Sequence, residues 1–127
     1  VNLILRILLL LVAAALIATG LGFAFAPTRA ALDFSVTATA LAGLGTLRAD
    51  LGGLFLTAGA FTFAGLRAGQ SRVLAVPAVL IGSILALRLL HLVLDGSSAG
   101  ALRATGAEVV FILLLVAGYR RLRPSGA

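Results

Sequence analysis

A chain of 127 residues in which 61% are hydrophobic and 11% charged, with a mean hydropathy of +1.20, lies outside the composition of soluble globular domains. The formal net charge of +6 would direct a soluble protein toward nucleic acid, but the ten basic residues are all arginines dispersed among apolar runs, which leaves no concentrated basic patch for that role. Cysteine is absent, and with it any disulfide framework, thiolate nucleophile or iron–sulfur ligation.

A hydrocarbon crossing takes about 20 apolar residues, so a single domain over residues 1–127 accommodates four spans with loops. The first span runs over residues 3–26, with Arg6 near its start and Pro27 as a stop. Its basic start and the small residues Ala24 and Ala26 of AFA imitate a signal peptide, but the apolar run exceeds the roughly 7 to 15 residues of a signal core, so the helix is expected to be retained. Residues 27–46, with Pro27, Asp33, Ser35, Gly43 and Gly45, are too polar and broken to span. They read as an outer loop holding a short interfacial helix capped by Asp33 or Ser35.

The second span covers residues 47–66 and ends in the turn RAGQSR, Arg67 to Arg72. The third, residues 73–94, is about 33 Å of helix at 1.5 Å per residue, with Pro77 near its first turn, where a missing amide proton costs little. The turn DGSSAG, Asp95 to Gly100, leads to a fourth span over residues 102–119 and a tail RRLRPSGA. With one tyrosine, seven phenylalanines and no tryptophan, the aromatic belt is sparse and arginines are left to anchor the interfaces.

Four spans place both termini and the Arg67–Arg72 turn on one face, which then carries Arg6, Arg67, Arg72, Arg120, Arg121 and Arg123 and no acid. Arginine accumulates on the cytoplasmic side, so both termini are expected there. The other half holds Arg29, Arg48, Arg88 and Arg103 with every acid, Asp33, Asp50, Asp95 and Glu108. Close approach of helices in lipid depends on small residues at intervals of four. Ala14, Ala18, Gly22 and Ala26 form such a ladder on the first span, Ala49, Gly53 and Thr57 on the second, and Ala78, Gly82 and Ala86 on the third, while Gly52 and Gly53 open the second span to a close neighbour.

The stretch LALRLLHLVLDG places Arg88, His91 and Asp95 at i, i+3 and i+7, on one helix face. Arg88 then lies about 10 Å from the outer interface, and Glu108 on the next helix reaches about the same depth. An arginine facing lipid there costs several kcal/mol and a lone carboxylate would take up a proton, so their pairing is expected. Arg48, Asp50, Arg88, His91, Asp95 and Glu108 are therefore the candidate site, read either as structural ion pairs or as an outward-facing polar cluster that binds a ligand. A metal site is not expected, because His91 and Asp95 lack a second histidine or cysteine and sit beside arginines. No cofactor or nucleophile motif is present in the sequence.

At LRADLGG (Leu47–Gly53), LRLLHLVLDG (Leu87–Gly96) and Glu108 the chain resembles a small bacterial four-helix membrane family, domain of unknown function 4345. Arg48 with Gly52 and Gly53, Arg88 with Asp95 and Gly96, and Glu108 fall at that family's arginine–diglycine, arginine–Asp-Gly and glutamate positions. Thr46 and Leu51 stand where the family often carries an acid and an aromatic. The resemblance covers most of the chain after the first span and implies the architecture, without an activity. The sequence is thus expected to form an all-α integral membrane four-helix bundle of the bacterial inner membrane. It is expected to act as a scaffold or accessory subunit in contact with lipid and a second membrane protein or a second copy, without nucleic acid and without a cofactor. The main alternative is a binder or carrier of a small amphipathic or anionic ligand; an enzyme is the third class.

Overall fold

The computed structural model describes residues 2–123, and among these the regular structure is all helical, without strands, the helices being joined by short turns and loops. Helix α1 spans Asn2–Phe25, α2 Pro27–Asp33, α3 Leu41–Thr46, α4 Gly52–Gly65, α5 Ala75–Leu94 and α6 Ala99–Arg121. A π-turn, Leu47–Leu51, joins α3 to α4, and a 3-10 turn, Ser71–Leu74, leads into α5. Three helical stretches are long and apolar enough to cross a membrane: Asn2–Phe25, Ser71–Leu94 and Ala99–Arg121. The tail from residue 124, including the end of the expected RRLRPSGA segment, lies outside the described residues.

The expected second span is built differently from its reading. Helix begins at Leu41 rather than at residue 47, and the junction residues Thr46, Leu47, Leu51 and Gly52 all keep right-handed helical angles through the π-turn. Helix thus runs without a break from Leu41 to Gly65, although α4 alone has only 14 residues. The glycines and threonine of LAGLGT are helical although the segment buries no residue, and the threonine hydroxyl is satisfied within the helix. Thr46 Oγ1 donates to the Ala42 carbonyl at 3.3 Å. The outer loop correspondingly shortens to residues 34–40.

Within that region a short helix does form, but α2 ends at Asp33 instead of starting from a cap at Asp33 or Ser35. Its N-terminal flank is Ala26 with no side-chain cap and Pro27 in the first turn, where the ring's fixed φ suits helix entry. Ser35 ends the helix instead of starting one. It takes φ +56°, Ser35 N–H donates to Leu32 O at 3.0 Å and Val36 N–H to Ala31 O at 2.9 Å, the paired bonds of a Schellman stop with serine in the position glycine usually fills. At the start of α6 the cap is conventional: Ser98 Oγ accepts from Ala101 N–H at 3.1 Å, which sets the helix start three residues ahead of the expected Leu102.

Helix α1 packs most extensively on α4, and α5 on α6; α1 also meets α6, and α4 meets α5. The core of this arrangement is Leu5, Leu9, Val12 and Leu16 of α1 with Ala58, Leu74, Ile81, Leu115 and Leu122. A second, smaller core of Phe23, Ala31 and Leu47 fastens α2 to the far end of the α1–α4 pair. There Phe23 stacks on Phe55 with ring centroids 6.0 Å apart, and Phe34 tilts against both, at 5.2 and 5.5 Å. Large apolar side chains cover the outside, Leu11 at 61%, Leu87 at 67% and Leu113 at 64% exposed among them. That distribution suits a hydrocarbon surround. The helix hydroxyls agree with it: Thr19, Thr62, Ser83 and Thr105 each donate to the carbonyl four residues back.

The glycines that permit close packing are not those of the four-residue ladders. A methyl group on Gly20 would stand 2.7 Å from Leu56 N, and one on Gly59 would stand 2.9 Å from Ile17 N and 3.1 Å from Ala13 O. Ala13 and Gly20 on α1, and Gly52 and Gly59 on α4, thus mark the seam, with a spacing of seven. Gly52 is buried there, as expected of a close-packing residue, with the position of its absent methyl 3.5 Å from Gly20 O; Gly53 has nothing within 4 Å. Ala14, Ala18 and Ala26 are exposed and Gly22 is half-buried under α2, so the ladder makes no seam with α4. The reason is angular: residues 14 and 18 lie on the side of α1 opposite its buried Leu5, Leu9, Leu16 and Phe23.

Candidate functional site

Arg88 and Glu108 meet between α5 and α6. Arg88 Nε donates to both carboxylate oxygens at 2.9 Å, and Nη2 lies 2.8 Å from Oε1, a forked arrangement with the two side chains 25% and 13% exposed. It follows from local helix geometry. The turn Asp95–Ser98 folds α6 back along α5, Gly82 lies against Ile112 deeper in the hairpin, and the facing positions nearer the turn bring residue 88 to residue 108. The sequence expectation of this pair is met.

The remaining candidates are not gathered around it. His91 Nδ1 sits 2.8 Å from Asp95 Oδ2, one helical turn apart, in a contact whose partners are 48% and 66% exposed. An exposed pair of that kind contributes little to stability. Arg48 Nε donates to Ala24 O at 2.7 Å, and Asp50 is exposed on the same π-turn with no hydrogen bond or ion pair among the described residues. The single outward-facing cluster read from the sequence is therefore resolved into separate contacts. Arg48 is diverted because the last turn of α1 presents carbonyls that the helix cannot itself satisfy, and Pro27 offers no N–H to them.

Arg6 makes the reciprocal contact. Its Nη1 donates to Leu66 O, the carbonyl just past α4, at 2.7 Å. Each helix of the antiparallel α1–α4 pair thus lends an arginine from near its own start to the carbonyl end of the other, where the negative end of the helix dipole also favours a cation. The signal in the sequence was the position of Arg6 and Arg48, each near the beginning of a span whose partner's end lies alongside. It was legible only once the pairing of those two helices was known.

Two open surface clefts lie apart from the charged candidates. One, of about 230 Å³, lies in the outer loop between Thr28, Val36 and Leu44; the other, of about 350 Å³, lies beside α1 and α2, bordered by Ala18, Gly22, Arg29 and Asp33. Among the described residues no group of three or more metal-ligating side chains comes together. No family model matches the chain, and no curated protein or solved structure is significantly similar to it.

Proposed function

We propose that this protein is a four-span helical scaffold or accessory subunit of a bacterial inner membrane, with Leu41–Gly65 as the span additional to α1, α5 and α6 and with both termini cytoplasmic. The observation that carries the reading is the disposition of its charges: the strongest ligand candidates are taken up by the chain itself, Arg88 by Glu108 and Arg48 by the end of α1. A ligand site built on these candidates would leave the Arg48 or Arg88 guanidinium directed into a cleft, and neither of the two clefts described is lined by them. The contacts between α1 and α6 and between α4 and α5 support closing the two hairpins into one bundle. The all-arginine end supports the orientation. Kinship with domain of unknown function 4345 is part of the same proposal and rests on the Arg48, Arg88, Asp95, Gly96 and Glu108 positions.

A charge exchange separates a structural pair from a ligand site. Glu108→Gln alone leaves Arg88 without its carboxylate at depth and is expected to cost on the order of a few kcal/mol of unfolding free energy in nanodiscs. Arg88→Glu combined with Glu108→Arg should recover most of what either single change loses, because it restores the pair while reversing the charge offered to any ligand. Independent, additive losses would remove the pair as the reason for these residues.

A further inference from the structure

We infer that the arginine-bearing end of the molecule is a binding surface for anionic phospholipid, engaging the phosphodiester headgroup with arginine and the acyl chain with the apolar helix faces beside it. The fold gathers this end around Leu74. A methyl on Gly118 of α6 would meet Leu9 and Leu74, one on Gly65 of α4 would meet Leu74, and Leu5 and Leu122 close the same core. The turn Arg67–Arg72 and the end of α6 with Arg120, Arg121 and Arg123 are therefore brought to one place, where Arg6 joins them. Arg6 is occupied by Leu66 O, and the Arg123 guanidinium lies 4.3 Å over the Tyr119 ring. Arg67, Arg72, Arg120 and Arg121 are exposed and have no carboxylate partner among the described residues. The four acids of the chain, Asp33, Asp50, Asp95 and Glu108, all belong to the opposite end.

Charge alone would accept any polyanion, but the surroundings do not. On the first turns of α1, beside Arg6, Leu3 is 70%, Ile4 63% and Ile7 50% exposed. A soluble anion would leave these side chains uncovered, whereas a phospholipid covers both kinds of surface at once. Arginine suits the headgroup because its planar fork matches two phosphate oxygens and is weakly hydrated.

Tyr119 supplies the probe, since the chain has one tyrosine and no tryptophan. The full chain is reconstituted in mixed phosphatidylcholine and phosphatidylglycerol vesicles in which one or the other lipid carries brominated chains, and Tyr119 quenching gives their relative occupancy. Phosphatidylglycerol should be preferred by about fivefold for each arginine that a headgroup engages. Arg67→Gln with Arg72→Gln, and separately Arg120→Gln with Arg121→Gln, should each reduce the preference, while Arg29→Gln with Arg103→Gln at the other end should not. Should the variants fail to insert, raising ionic strength on the unaltered chain must weaken the preference. Equal quenching by the two lipids, a preference insensitive to salt, or equal loss in the Arg29 and Arg103 variant would overturn the inference. Abolition of the preference by inorganic phosphate, where chloride at equal ionic strength only weakens it, would also overturn it, in favour of a general anion site.

Discussion

At the scale of single residues, the arginines divide by what their guanidinium groups touch. Arg6 and Arg48 close helix ends, Arg88 is held by a carboxylate, and Arg67, Arg72, Arg120 and Arg121 are exposed. Their identical side chains gave the sequence no means of telling these roles apart, except at Arg88, where depth in an apolar run required a partner and Glu108 was the acid at the matching depth. Arg48 misled because its contact is with a backbone carbonyl, which carries no sequence signature. The division predicts graded costs. Arg6→Gln removes a partly buried charged hydrogen bond and is expected to cost about 2 kcal/mol in unfolding measurements in nanodiscs. Arg48→Gln removes an exposed one and is expected to cost about 1 kcal/mol. A larger loss at Arg48 than at Arg6 would contradict this assignment.

At the scale of elements, the spans were legible from hydropathy, and their boundaries at α1, α5 and α6 fall within a few residues of the reading. What could not be read was the helical stretch Leu41–Gly65. Its extension to Leu41 passes through a π-turn and a glycine-rich segment of low helix propensity, which local pattern reads as a break. The packing seam was missed for a related reason. Small residues are so frequent here that spacing of four and spacing of seven both occur, and only the partner helix selects between them. The selected face gives a sharp contrast. Gly59→Ala places a methyl 2.9 Å from the Ile17 amide nitrogen and should destabilise by about 1–3 kcal/mol, since backbone can yield only by separating α1 from α4. Gly53→Ala meets nothing within 4 Å and, in a helical position, should be neutral or stabilising by up to about 1 kcal/mol. Thermal or steric-trap unfolding of the two variants side by side checks the seam, and equal effects would place it elsewhere.

At the scale of the whole molecule, the chain has little surface outside its helices and covers much of its exterior with leucine, valine and isoleucine, while one face of α1 presents Ala14 and Ala18 to the outside. Exposed small residues let another helix approach closely, and an accessory subunit needs such a face. Gly22 is less suited to a test because α2 covers it: its missing methyl would stand 3.6 Å from the Ala30 methyl. Ala14→Leu with Ala18→Leu changes only the outward part of the ladder. The most direct measurement of the scaffold proposal is therefore the stoichiometry of the protein extracted in native nanodiscs, compared between the unaltered chain and this double variant. The proposal predicts that the unaltered chain is recovered with a second copy or a defined membrane-protein partner, and that the variant is recovered alone with an unchanged unfolding midpoint. Recovery of the unaltered chain as a single copy without a partner would contradict it.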